Sequence, residues 1–245
     1  MTLGQITKRA LSAVGIKAYS WKNLPWGISL ERDLQRIFRD SASPTLFDVG
    51  ANVGQTAIRF RTALPHAEIH CFEPIRSTFD SLMKNTKGLG NVHVHRMAIG
   101  SSCGYARMVV FENSEENKLL VGDSSENQQT EDVEMQTIDT FMEKTGISRI
   151  GLLKTDCEGF DLEVMLGAQQ AIAGKCIDAI LSEVSLKQGA MHTDFLTIHE
   201  HLLERGFYFF AFYDYGGWGE FHSLGQFHNA LWLRDRDRGT APRPS

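Results

Sequence analysis

"TLFDVGANVGQTAIRF", residues 45–60, reads as an apolar strand that ends in an acid and two glycines and then becomes a helix. A strand, a tight glycine turn and a helix are how a nucleotide-type cofactor site opens in an α/β sheet. The usual dinucleotide pattern, G-x-G-x-x-G, is not met, because Asn52 holds the middle glycine place and Asp48 precedes Gly50. Gly50 and Gly54 permit a tight turn and close approach of the backbone to a ligand. An acid at the strand tip is a poor neighbour for a pyrophosphate, since like charges repel, and suits a ligand with a positive ammonium or sulfonium centre.

Outward from this stretch the pattern alternates between strand and helix. Upstream, residues 1–28 are a weakly patterned lead-in with Trp21, Pro25 and Trp26. "SLERDLQRIFRD" then spaces Leu30, Leu34, Ile37 and Phe38 as a helix, with Ser29 as its N-cap. Downstream, "EIHCFE", "VHVHRMAIG", "YARMVVF", "EDVEMQTI", "IGLLKTD" and "CIDAILSEV" read as strands. Helices are expected after residue 73, after "IGLLKTD" (with Leu162, Met165, Leu166 and Ile172 inward) and in "DFLTIHEHLLERG". Two final strands, "FYFFAFYD" and "HNALWLR", have no helix between them and form a hairpin, so one runs antiparallel. Continuous apolar strands alternating with helices predict a mostly parallel sheet of about seven strands with helices on both faces. The domain reading is a helical N-terminal extension over 1–44, the α/β domain over 45–234 and a polar, proline-containing flexible tail over 235–245.

The chain has 245 residues, 42% hydrophobic and 22% charged, the composition of an ordinary globular protein with one substantial core. A net charge of −5 argues against a generic nucleic-acid binder, which needs clustered basic residues. Cys71, Cys103, Cys157 and Cys176 are widely spaced, as reduced thiols are, and form no C-x-x-C pair. No run is long enough for an integral membrane segment. The N-terminal stretch lacks a clean cleavage site and Lys17 follows its short apolar part closely, so a cytoplasmic location is expected.

Ligands of open α/β sheets bind beyond the carboxyl ends of the strands, so polar residues there are the candidates. Glu73, ending the strand after the opening motif, is placed to accept hydrogen bonds from two ribose hydroxyls. In "RMAIGS", Ala98 and Ile99 are candidates for an adenine slot. In "LLKTDCEGF", Lys154, Asp156 and Glu158 alternate and point to one side of a strand unless the chain has turned by Glu158. A cation between two acids at a strand end is costly to arrange and marks a functional site, with a salt-bridge cluster capping the next helix as the bland alternative.

"FDVGANVGQTA", "FEP", "AIGS", "TIDTF", "LLKTDCEGFDLEVMLGA" and "NALWLR" together resemble the FkbM-type methyltransferase family over roughly residues 45–234. The resemblance implies a Rossmann-like class I methyltransferase fold, S-adenosylmethionine as cofactor, and methyl transfer to a hydroxyl of a sugar, glycolipid or natural product. It implies that Asp48, Gly50, Ala51, Asn52 and Gly54 surround the methionine part, Glu73 the ribose, and Ala98 and Ile99 the adenine. Asp156 would face the methyl-transfer site. Thr155 and Cys157 stand where the family commonly has isoleucine and valine, and these changes leave the flanking acids intact.

A sugar hydroxyl is a poor nucleophile, so a base beside its proton is expected. Asp156 is the first candidate, with Glu158 or Glu183 assisting and Lys154 tuning their charge. His192 and His222 are rival bases on overhanging segments, and the strand-end acids are also possible ligands for a divalent metal. Tyr213, Tyr215 and Trp218 are candidates to stack on a sugar ring, and the polar stretch 112–131 to act as a lid. Competing readings are a nicotinamide-dinucleotide oxidoreductase, which predicts a glycine at 52 and no acid at 48, and a non-catalytic scaffold, which does not require the intact acids. A nucleic-acid methyltransferase is disfavoured, since no D/N-P-P-Y tetrapeptide or basic stripe occurs.

Overall fold

A computed structural model describes residues 11–111, 118–119, 129–186, 192–213 and 227–235. The strands are β1 (Thr45–Val49), β2 (Glu68–Phe72), β3 (Val92–His95), β4 (Ala98–Ile99), β5 (Gly104–Val109) and β6 (Lys118–Leu119), then β7 (Thr130–Gln136), β8 (Ile150–Thr155), β9 (Ile177–Ser185), β10 (Phe207–Tyr213) and β11 (Phe227–Arg234). The helices are α1 (Leu30–Ile37), α2 (Gln55–Ala63), α3 (Arg76–Thr86), α4 (Ile138–Thr145), α5 (Asp161–Leu166), α6 (Gln169–Ala173) and α7 (Phe195–Leu203).

Seven strands form one sheet in the order β10-β11-β9-β8-β1-β2-β3. β1 pairs in parallel with β2 and β8, β2 with β3, and β8 with β9, while β11 runs antiparallel between β9 and β10. This is the expected α/β fold with its closing hairpin. The sheet reverses direction of winding at β1/β8, which is where a doubly wound sheet opens a crevice for ligands. Arg234 fixes the end of β11 by donating to the carbonyls of Ile177 (2.6 Å) and Ile172 (3.0 Å).

Alternation along β1 divides the core between the two faces. Phe47 and Val49 pack with Phe72, Phe141, Leu153 and Trp232 on one side. Leu46 packs with Leu34, Phe60, Ile69 and Leu152 on the other. α1 forms as its sequence predicts: the Ser29 hydroxyl accepts from the Arg32 N–H (3.3 Å), and Leu30 and Leu34 are buried in the second cluster. Asp33, fully buried on the same helix, accepts from the Tyr213 hydroxyl (2.7 Å) and the Gly27 N–H (2.7 Å), tying residues before β1 to the far edge of the sheet.

Four parts of the structure depart from the sequence reading. "VHVHRMAIG" is two strands, because the chain leaves the main sheet after His95 and Ala98–Ile99 joins β7 instead. β4, β5, β6 and β7 make a separate four-stranded sheet, so "YARMVVF" and "EDVEMQTI" do not extend the main one. "TIDTF" opens helix α4, capped by the Thr137 hydroxyl accepting from the Thr140 N–H (3.0 Å). Its Asp139 then caps α6, accepting from the N–H groups of Gln170 (2.8 Å) and Ala171 (2.9 Å). The helix expected after "IGLLKTD" is the pair α5 and α6. They break at Gly167, where an added Cβ would sit 2.0 Å from the Gly100 carbonyl oxygen. Tyr215, Trp218, His222, most of the stretch 112–131 and the tail beyond 235 lie outside the described residues.

Gly50 is required by a close crossing. It has φ +75°, and a Cβ there would stand 1.9 Å from the Asp156 carbonyl oxygen, where the ends of β1 and β8 meet. Gly146 has a similar φ of +73° but open space around it. Gly146→Ala should therefore cost about 1 kcal/mol from backbone strain alone. Gly50→Ala adds forced displacement of a neighbouring chain and should cost about 3 kcal/mol or more. Urea denaturation of the two variants checks the difference.

Candidate functional site

A cavity of about 490 Å³ opens at the carboxyl ends of β1, β2, β8 and β9. That volume lies in the range of small-molecule and cofactor pockets. Gly50, Ala51, Asn52, Glu73, Ala98, Ile99, Lys154, Asp156, Glu158 and Glu183 all line it. Asp48 and Gly54 are not among its lining residues.

The placement of Asp48 corrects the reason given for it from sequence. It is fully buried on the α1/α2 side of the sheet, beside its cross-strand partner Lys154. Its Oδ1 is 3.2 Å from the Lys154 ammonium, so no bare anion faces the cavity from this position. Burial pushes the Asp48 carboxyl up, and Lys154 offsets this only in part. Gly54 serves the backbone: with φ +96° at the start of α2, its missing side chain makes room for Leu82. Asn52 has φ 46°, a left-handed conformation that asparagine tolerates better than most residues, which accounts for its place in the motif.

At one end of the cavity, Glu73 is held by two backbone donors. Its Oε2 accepts from the Asn52 N–H (3.1 Å) and its Oε1 from the Ile75 N–H (2.9 Å). Each carboxylate oxygen has a second acceptor site, so the group can still take hydrogen bonds from a pair of hydroxyls. Burial pushes its carboxyl up to about 7 despite those donors, with the charges of Asp48 and Glu131 adding to the shift. Met97, Ala98, Ile99 and Met108 give the adjoining wall its apolar surface.

At the other end, Lys154 gathers three acceptors. Its ammonium lies 3.2 Å from Asp48, 3.2 Å from Asp156 Oδ2 and 3.5 Å from the Gly50 carbonyl. Burial would lower the Lys154 ammonium, but Asp156 and Asp48 hold it charged. Burial would likewise raise Asp156, yet Lys154 and a hydrogen bond from Glu183 hold it below the usual carboxylate range. Glu183 shifts the opposite way, pushed up by burial and by the Asp156 charge. The two carboxyls therefore titrate as a pair in which Glu183 holds a proton more readily than Asp156.

Glu158 lies beyond the end of β8, where the chain has turned: Glu158 (φ 49°) and Gly159 (φ 93°) are both left-handed. It does not continue the strand alternation with Lys154 and Asp156. Its Oε2 is 3.7 Å from His192 Nε2, while His192 Nδ1 is 3.2 Å from Glu183 Oε2. The rival base His192 thus joins the acids, and burial keeps its ring neutral. Thr193 anchors this segment by donating to the Gly159 carbonyl (3.1 Å), with Asp161 Oδ2 also in reach (3.5 Å). Asp161, which the sequence reading did not single out, is fully buried and pushed up to about 6 by burial. Its signal was its place two residues beyond "DCEG", at the start of α5. Thr155 donates to the Ser182 hydroxyl (2.8 Å), a bond that joins β8 to β9 beneath the acids. Among the described residues, the strand-end acids do not bring three ligand atoms within 4.8 Å of one another, and Lys154 stands where a cation would balance them.

The sequence model of the methyltransferase FkbM domain matches residues 48–209, most of the sheet and every strand end just described. The chain belongs to the FkbM methyltransferase family. Methyltransferase sdnD of Sordaria araneosa is 26% identical over 160 residues, covering 53% of this FkbM chain and 62% of its own length. Hexuronic acid methyltransferase AglP of Haloferax volcanii is 30% identical over 148 residues, 58% of either chain. The match thus spans about three fifths of the length of these two relatives. An rRNA methylase from Streptococcus thermophilus aligns over 83% of this chain and 93% of its own, with a TM-score of 0.47 and 8% identity.

FkbM membership implies S-adenosylmethionine, and the cavity fits it on donor chemistry. Even with Glu183 neutral, the carboxyls of Glu73, Asp156 and Glu158 line it against one lysine, a balance that favours a cationic ligand over a pyrophosphate. Glu73 offers the paired acceptor a ribose diol needs. Lys154→Met, which leaves Asp48 buried without its partner, should cost about 3–5 kcal/mol. Adding Asp48→Leu should recover a substantial part of that loss. A double-mutant cycle in urea checks it, and additive losses would show that the pair is not coupled.

Proposed function

We propose that this FkbM protein is an S-adenosylmethionine-dependent O-methyltransferase acting on a hydroxyl of a sugar, glycolipid or other small molecule. The observation that carries the reading is one cavity with a diol acceptor at one end and a proton-accepting cluster at the other. Glu73 supplies the first, and Asp156, Glu183 and His192 supply the second. When bound, S-adenosylmethionine supplies an electrophilic methyl group on a sulfonium.

Asp156 is the group that meets the acceptor. Its side chain is 35% exposed, toward the cavity, and Lys154 keeps it ionised. An ionised carboxylate accepts the hydroxyl proton while the oxygen is methylated. Glu183, already protonated, stays neutral and adds no further negative charge beside Asp156. His192 offers a neutral nitrogen to which the proton can pass after transfer. Glu158 is held in a left-handed conformation whose cost is about 1–2 kcal/mol, and its carboxylate lies 3.7 Å from His192 Nε2. A hydroxyl needs such a base far more than a thiol or an amine does, which is what favours oxygen as the methylated atom.

The name of one relative, hexuronic acid methyltransferase AglP, supports a small sugar-type acceptor. Four free thiols, one of them exposed, support a reducing compartment such as the cytoplasm. No helix among the described residues is long and apolar enough to cross a membrane.

Asp156→Asn should lower kcat by about 10²- to 10⁴-fold while leaving S-adenosylhomocysteine affinity within a few-fold. Labelled-methyl transfer to a panel of uronic acids, glycosides and glycolipids measures the first, and calorimetry the second. Undiminished turnover would place the base elsewhere. A chain stabilised by NAD but not by S-adenosylhomocysteine would overturn the cofactor assignment.

The Glu73 carboxyl sets a pH dependence. A diol binds its ionised form, so affinity for S-adenosylhomocysteine should be full above pH 7 and fall as the carboxyl protonates below it. The limiting slope is about tenfold per pH unit. In Glu73→Gln the affinity should be lower at pH 8 and the slope lost. Calorimetry between pH 5.5 and 8.5 reads both.

A further inference from the structure

We propose that Glu68, His70 and His93 bind one divalent transition-metal ion, zinc being the expected occupant, at a site on β2 and β3 separate from the reaction cavity. None of the three lines that cavity. They sit together because of strand register: His70 and His93 are direct partners in the parallel β2–β3 pair, and Glu68 precedes His70 by two residues, on the same face.

The distances suit a tetrahedral ion. Glu68 Oε1 stands 3.3 Å from His93 Nε2 and 3.6 Å from His70 Nε2, and all three ligand atoms lie within 4.8 Å of one another. Ligands about 2.0–2.1 Å from a tetrahedral zinc are about 3.3–3.4 Å apart. The edge to His93 already matches, and the edge to His70 is slightly long. His93 is half exposed, so a small turn of its ring closes the third.

The buried member supplies an independent sign. His70 is 6% exposed, and its Nε2 is shut off from water without a hydrogen-bond partner. At 3.6 Å the Glu68 oxygen is too far away to be one. On the other side of the ring, His70 Nδ1 meets His95 Nε2 at 3.0 Å. When Nδ1 donates to His95, Nε2 is a bare lone pair facing a carboxylate oxygen, two acceptors with nothing between them. A metal ion resolves that conflict, and such a second hydrogen bond is the usual means of orienting a metal-bound imidazole.

Two imidazoles and a carboxylate suit zinc among the common ions, with water as the fourth ligand. The site would clasp an edge strand. β3 has four residues and is bonded in the sheet only to β2, so a bridging ion adds a second link across that pair.

The test uses the untagged full chain, stripped with EDTA and titrated with Co²⁺ as a spectroscopic probe for zinc. Expected are one ion per chain, the intense visible bands of tetrahedral cobalt, their displacement by Zn²⁺, and a higher Tm with Zn²⁺ present. His93→Ala, at an exposed position, should weaken binding at least 100-fold and abolish the bands. Glu68→Gln should weaken it at least tenfold, and His66→Ala, an exposed histidine nearby in sequence, should change nothing. Absence of tetrahedral bands at 0.1 mM Co²⁺, or bands that survive His93→Ala and Glu68→Gln, would overturn the site. Neither result depends on methyl transfer.

Discussion

The buried pairing of Asp48 with Lys154 is the constraint from which the site is built. Taking an ammonium and a carboxylate out of water costs several kcal/mol per ion, and the loss is offset only where further hydrogen bonds complete their shells. Lys154 meets that condition with three acceptors, one on its own strand end and two from β1 and the turn after it. The ammonium therefore holds together two strand ends that are about a hundred residues apart in sequence. It also keeps Asp156 ionised next to a carboxyl that is not. Asp48, hidden from any ligand, contributes by keeping that lysine charged and in place.

Around this pair the cavity divides into parts of different origin. The Glu73 end is backbone work: Asn52 and Ile75 N–H groups aim the carboxylate, and they are themselves fixed by the turn after β1 and the start of α3. The Asp156 end is side-chain work, and its last member arrives on a separate segment. His192 precedes the Thr193 hydroxyl that links this stretch to Gly159 and Asp161, so the imidazole is positioned by the same turn that carries Glu158. Positions that line the cavity and positions that hold them are thus interleaved along "KTDCEGFD".

What was legible from sequence follows physical locality. The strand–turn–helix at residues 45–60, the Ser29 cap and the closing antiparallel strands rest on periodicity, capping and turn chemistry within a few residues. The acids at 73, 156 and 183 were legible because strand ends in a parallel sheet converge on one crevice. Facing direction was not legible. Nothing local shows that Asp48 is fully buried against Lys154, because that depends on which face of β1 the helices α1 and α2 cover. The split between β3 and β4 was also hidden, since "VHVHRMAIG" has unbroken strand character and only the pairing of Ala98–Ile99 with β7 separates them. The role of His192 rests on long-range placement of the same kind.

The position of β11 bears on how the chain reaches this state during synthesis. The last of the described strands to be made is inserted between β9 and β10. Until residues 227–234 leave the ribosome, β9 presents an open hydrogen-bonding edge rich in Ile180, Leu181 and Val184. Such an edge pairs readily with other chains. Completion of the sheet must wait until residues 227–234 have been made, even though β1, β2 and their helices contact one another locally. A nascent chain paused short of this strand would hold every acid of the cavity and still lack one of the interior strands that support them. Loss of the segment would remove an inner stave, where trimming β10 or β3 would shorten only a rim.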